Sequence, residues 1–152
     1  MEIRTFGELI EWSRSLHHYL SESLRASSEK NQNERARALL DYLARHESQL
    51  DQMVAEFEKQ SDPGALGTRV YDFLSHHPLH SHRTCDTHYS ELDFEEISRE
   101  VFDFHDQVIA MYRVLIGRAD IPEVRELLES LLAMEEHEAM RLASQIGRMR
   151  DL

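Results

Sequence analysis

Apolar residues recur at three- and four-residue steps through four long stretches of this chain, and almost nothing interrupts them. Five Gly and three Pro in 152 residues leave few places where a helix must stop. Phe6, Leu9, Ser13, Leu16, Leu20, Leu24 and Ser27 form the first stripe. Leu39, Leu40, Leu43, Leu50, Met53, Val54 and Phe57 form the second. Phe94, Ile97, Val101, Phe104, Val108, Tyr112 and Leu115 form the third, and Leu128, Leu131, Leu132, Ala139, Leu142, Ala143, Ile146 and Met149 the fourth. Such spacing predicts four amphipathic helices over 5–30, 33–60, 93–117 and 120–150. Local signals agree. Thr5 with Glu8, and Asp93 with Glu96, are spaced as capping pairs, Asn33 is a helix-capping residue, and Pro122 suits a first turn.

Turns of a few residues join the first helix to the second and the third to the fourth, so each pair is an antiparallel hairpin. Residues 61–92 form a long crossover between helices 2 and 3. Within it, 68–75 reads as a short packed helix, while His76, His77, His80, His82 and His88 make the rest rich in imidazole. The predicted fold is a single all-α domain over 1–152: a four-helix bundle of two hairpins with one long crossover. The hairpins resemble each other. Phe6 aligns with Phe94, His17 with His105 and Leu20 with Val108 at an offset of 88; Leu43 aligns with Leu132 and Glu47 with Glu136 at an offset of 89.

Four polar residues fall inside apolar stripes, where an unpaired charge is expensive. They are His17, Glu47, His105 and Glu136. In a hairpin, residues equidistant from the turn lie side by side. His17 and Glu47 are symmetric about position 32, and His105 and Glu136 about the bond between Asp120 and Ile121. The four are therefore expected to converge near mid-bundle. Two imidazoles and two carboxylates suit a divalent transition metal: iron, zinc or manganese. His46 and Glu135, next to the predicted carboxylates, are the lesser candidates and suit a supporting shell. A metal-free His–Glu hydrogen-bond network satisfies the same groups.

The run 39–47, Leu-Leu-Asp-Tyr-Leu-Ala-Arg-His-Glu, and the run 123–136, ending Leu-Leu-Ala-Met-Glu-Glu, resemble helices 2 and 4 of the rubrerythrin branch of the ferritin-like superfamily. The run 105–113, with Tyr112 seven residues after His105, is similar to that branch's third helix. The resemblance implies a bundle of two pseudo-symmetric hairpins and a metal centre between them. Each hairpin of the family supplies a Glu and then a Glu-x-x-His to two irons. Here His17 and His105 replace the first- and third-helix glutamates, and Leu50 and Ala139 stand where the histidines belong. One metal with mixed His/Glu ligands follows, with oxygen or peroxide chemistry fed by an external electron donor. The alternative is a metal-free bundle acting as an interaction or regulatory protein. A haemerythrin-like bundle ranks below both, because His46 is followed four residues on by Leu50.

Charge limits the partners. Lys+Arg 17 against Asp+Glu 29 gives a net charge of −12, which repels phosphate backbones and anionic lipid. No nucleic acid and no membrane partner is expected. A homo-oligomer, most simply a dimer, is, with Trp12 marking a subunit contact. One cysteine, Cys85, forms no internal disulfide framework and supplies no four-thiolate iron site; with no secretory signal, a cytoplasmic setting follows.

Overall fold

Each helix start follows from a cap that the sequence supplies. The computed structural model describes residues 4–68 and 88–151. Helix α1, Phe6–Lys30, opens on Thr5, whose hydroxyl accepts from the Glu8 N–H while the Glu8 carboxylate accepts from the Thr5 N–H. Helix α2, Glu34–Gln60, is capped by the Asn33 side chain. A single turn, α3, Pro63–Leu66, follows on the Asp62 cap. After a 3-10 turn at Tyr89–Glu91 come α4, Phe94–Arg118, with a reciprocal Asp93/Glu96 cap, and α5, Pro122–Arg150. Among the described residues the protein is all-helical, and no helix is long and apolar enough to cross a membrane.

Three-residue connections fold α1 onto α2 and α4 onto α5 as hairpins, and α2 also packs against α4 and α5. The two ends of the crossover lie at opposite ends of α1. Phe6 N–H donates to the Thr68 carbonyl at 3.0 Å. Asn31, at the other end, donates to the carbonyls of Tyr89 and Leu92 at 3.0 and 2.9 Å. The described ends of the crossover, Thr68 and the Tyr89–Leu92 turn, therefore lie about one length of α1 apart, about 37 Å for 25 helical residues at ~1.5 Å each. The predicted packed helix at 68–75, Cys85 and most of the histidine-rich run lie outside the described residues.

The core contains nearly every predicted stripe residue of α1, α2 and α4, with Leu9, Leu20, Leu24, Leu43, Val101 and Phe104 fully buried. Three edge residues differ, one of them Phe57, which is only partly buried. Met53 is exposed, and Ser28 rather than Ser27 is buried. Helix α5 is rotated from the expectation. Its buried face is Val124, Leu127, Leu128, Leu131, Glu135, Glu138, Leu142 and Ile146, whereas Leu132, Ala139 and Met149 are only partly covered and Ala143 is exposed. Residue 17 then corresponds to 105, and 47 to 135, at one common offset of 88. The same offset pairs Leu39 with Leu127, Leu43 with Leu131 and Val54 with Leu142, all buried. Trp12 packs partly against the core.

Candidate metal centre

Four helices each bring one ionisable side chain to mid-bundle, and none of the four is more than 1% exposed: His17 from α1, Glu47 from α2, His105 from α4 and Glu135 from α5. They form a ring of alternating imidazole and carboxylate, joined by hydrogen bonds on three sides and open on the fourth. Glu47 lies along one edge, accepting from His17 Nδ1–H at 2.6 Å and from His105 Nε2–H at 2.7 Å, one oxygen to each. Glu135 lies along the other. Its Oε1 is 2.9 Å from His17 Nε2, and its Oε2 is 3.9 Å from His105 Nδ1, beyond hydrogen-bond reach. The two imidazoles lie 30° from parallel with centroids 6.0 Å apart. Phe104 meets both edge-on, so one wall of the ring is hydrocarbon.

Glu136, expected in the ring, is not there. Its side chain is 41% exposed and accepts from Arg113 at 2.8 Å. The reason is the 100° step of an α-helix: Glu135 and Glu136 project in directions too far apart for both to point into the ring, and the stripe that decides is Leu128–Leu131–Leu142 rather than Leu132–Ala139–Ala143. Glu135, the lesser candidate, takes the inward position. The repeat Leu-Ala shared by 43–44 and 132–133 is a coincidence of composition and not of position. With the register corrected, the residue three after the inward Glu is Glu138, which is buried and which the sequence reading passed over.

His46 adjoins the ring. It is 5% exposed, stacks on Tyr42 and turns its edge to His105 with centroids 6.1 Å apart. Its Nδ1 is 4.0 Å from Glu138 Oε2. Its Nε2 has no partner, and neither do His105 Nδ1 nor Glu135 Oε2. Three orphaned polar atoms in one neighbourhood are unusual, since buried polar atoms nearly always find partners.

Electrostatics follow from this geometry. Burial alone drives the His17 pKa down, but the Glu135 and Glu47 carboxylates overrule it and hold the imidazole protonated up to about 10. His105 is likewise raised, against burial, chiefly by Glu47. Burial pushes Glu47 up; His105 and His17 reverse this and hold it well below the usual carboxylate range. His46 is lowered by burial, which outweighs the opposing pull of Glu47 and Glu138, and stays neutral at pH 7. Burial also raises Tyr112, whose hydroxyl donates to Ser13 Oγ.

These shifts set a pH dependence for the metal-free protein. His17 has a folded pKa above its unfolded 6.5, so its stabilisation is complete below 6.5 and disappears as pH climbs toward about 10. Glu47 has a folded pKa below its ordinary 4.5, so its contribution is present above 4.5 and disappears as pH falls beneath that. Urea midpoints measured after chelation should therefore be highest between roughly pH 4.5 and 6.5 and should fall steadily from pH 7 to 9.5. A flat profile above pH 7 would contradict the ring.

Two imidazole nitrogens and a carboxylate, donor types that a cation accepts, converge on the Glu135 edge. Glu47 takes the His17 Nδ1–H and the His105 Nε2–H, which leaves His17 Nε2 and His105 Nδ1 as the two lone pairs of the neutral rings. Both face Glu135, itself an acceptor. Two lone pairs and a carboxylate turned toward one another repel unless protons or a metal ion lie between. The Nε2–Oε1 separation of 2.9 Å is a hydrogen-bond distance, shorter than the ~3.3 Å expected between two donors ~2.05 Å from a tetrahedral metal, and the Nδ1–Oε2 separation of 3.9 Å is longer. The side chains close on one another, and among the described residues no three His, Cys, Asp or Glu are spread about a point as ligands around an ion are.

No protein-family model, curated protein or solved structure matches the chain.

Proposed function

We propose that this chain is a small metal-binding protein of ferritin-like, rubrerythrin-related type, holding one divalent transition metal at the Glu135 edge of the ring. His17 Nε2, His105 Nδ1 and Glu135 are the ligands, with His46 Nε2 the nearest source of a fourth. The carrying observation is that a single carboxylate, Glu47, takes the far nitrogen of both imidazoles. A ligating histidine normally donates its other N–H to a carboxylate or carbonyl, which fixes the tautomer and strengthens the ligand. Glu47 does this for two rings at once. The crossover and the shared offset of 88 support the ferritin-like reading of the bundle. Bound iron or manganese would supply redox chemistry toward oxygen or peroxide; bound zinc would supply a Lewis acid. The chain's own residues orient the imidazoles, exclude bulk water through Phe104 and the surrounding leucines, and hold protons on the Glu47 edge.

The second reading is a metal-free bundle with an interaction or regulatory role, and the 2.9 Å contact between His17 Nε2 and Glu135 Oε1 favours it. Two protons on the Glu135 edge, giving two imidazoliums and two carboxylates, neutralise the ring as a metal would. Elemental analysis separates the two. Protein purified without a histidine tag is expected to carry one equivalent of zinc, iron or manganese per chain. The His17→Ala/His105→Ala double variant should lose that equivalent while leaving any metal held by the histidine-rich crossover. Wild type without metal, and cobalt(II) titration without ligand-field bands, would overturn the metal reading and leave the ion-paired one.

A further inference from the structure

Between α2 and α5 a surface pocket of about 330 Å³ is lined by Tyr42, Arg45, His46, Gln49 and Arg141. It concentrates positive charge on a chain whose net charge is −12. Arg45 makes no hydrogen bond or ion pair with any described residue. Arg141 spends one nitrogen on Glu138 Oε1 at 3.2 Å, and its side chain is 65% exposed. Among the described residues Glu138 is the acid bonded to Arg141, with its other oxygen 4.0 Å from His46 Nδ1. Arg141 is bonded to a carboxylate and Arg45 is not, so the Arg45 guanidinium is available to an incoming anion. The Tyr42 phenol senses both arginines, which oppose the rise that burial gives its pKa. His46, at least nine-tenths buried, closes the pocket, and its Nε2 has no partner. The Tyr42 ring stacked on it, with centroids 6.2 Å apart, adds an aromatic wall.

We infer that this pocket binds a small oxyanion, a carboxylate or phosphate group, between the Arg45 and Arg141 guanidiniums, with Tyr42 and Gln49 completing the contacts. Guanidinium matches either group with two parallel N–H···O bonds, and such charge-assisted pairs are the strong ones. The volume exceeds what a bare ion needs, leaving room for the body of an organic anion along Tyr42. The contacts to the anion come from Arg45, Arg141, Tyr42 and Gln49, none of which belongs to the ring; His46, the candidate fourth metal ligand, only closes the pocket.

The test is an NMR titration of the full chain, following the Arg45 Nε–Hε resonance, with sodium benzoate, inorganic phosphate and, as control, sodium chloride at matched ionic strength. Benzoate or phosphate should give a saturable one-site shift that chloride does not. Arg45→Gln should weaken binding by about tenfold or more, the worth of one charge-assisted bond. Arg35→Gln, an exposed change on the same helix whose side chain instead reaches the Arg150 carbonyl, should not. Tighter binding of benzoate assigns the group as carboxylate, and of phosphate as phosphate. Shifts that follow chloride, or an Arg45→Gln variant that keeps wild-type affinity, would overturn the assignment. The double variant that removes His17 and His105 leaves both arginines in place, so lost metal with retained benzoate or phosphate binding separates this inference from the metal reading.

Discussion

Glu47→Gln is expected to destabilise the metal-free protein by about 3–5 kcal/mol, the cost of removing one partner from a buried ion pair. The side chain is fully buried and accepts from two imidazoles that it holds protonated. The amide keeps the volume, so no cavity forms. It removes the charge that balances His17 and His105, and it turns a donor toward a donor on at least one side. The loss should appear as a lower urea midpoint with an unchanged slope, since the fold and the area exposed on unfolding are the same. Glu136→Gln is the matched control. Its carboxylate is 41% exposed and meets one half-free arginine, so the change should stay within about 1 kcal/mol. Equal effects at 47 and 136 would show that the ring does not hold the bundle together.

The same substitutions separate ligands from orienting groups once metal is present. Glu135→Gln removes a ligand on the edge where the lone pairs converge, and stoichiometric zinc or cobalt should be lost. Glu47→Gln leaves every ligand in place but frees both imidazoles to rotate and change tautomer. It should weaken binding by about 10- to 100-fold without abolishing it, the usual effect of losing a carboxylate behind a ligating histidine. Competition against a chromophoric chelator measures both affinities. A Glu47→Gln variant that binds no metal, beside a Glu135→Gln variant that binds normally, would reverse the two roles.

Much of the architecture was legible because helices announce themselves locally. Thr5, Asn33 and Asp93 cap the helices they were expected to cap, and the apolar stripes of α1, α2 and α4 are the buried ones. His17, Glu47 and His105 could be placed at one height because hairpin geometry is arithmetic about a short turn. Helix α5 misled for a physical reason. Its stripe is broadened by Ala139 and Ala143, small enough to sit on either side of the boundary, so periodicity fixes its rotation only to within one residue. One residue is 100°, the difference between Glu135 inside and Glu136 outside. The constant offset of 88 was the signal that could have chosen between them, since first and second helices of related hairpins need no separate registers. Glu138 and the Arg45–Arg141 pocket were not legible at all. A buried carboxylate shielded by a surface arginine, and two arginines from different helices meeting over a histidine, depend on the rotation of α5.

Long-range proton–nitrogen NMR of the histidine rings tests the buried ring most directly. In metal-free protein at pH 7, His17 should be an imidazolium with both nitrogens protonated, and it should not titrate until near pH 10. On adding one equivalent of zinc, His17 should become the Nδ1–H tautomer and His105 the Nε2–H tautomer, each keeping the proton that faces Glu47. Rings that titrate near 6.5 as solvent-exposed histidines do, or zinc-bound rings with the opposite nitrogens protonated, would contradict the account.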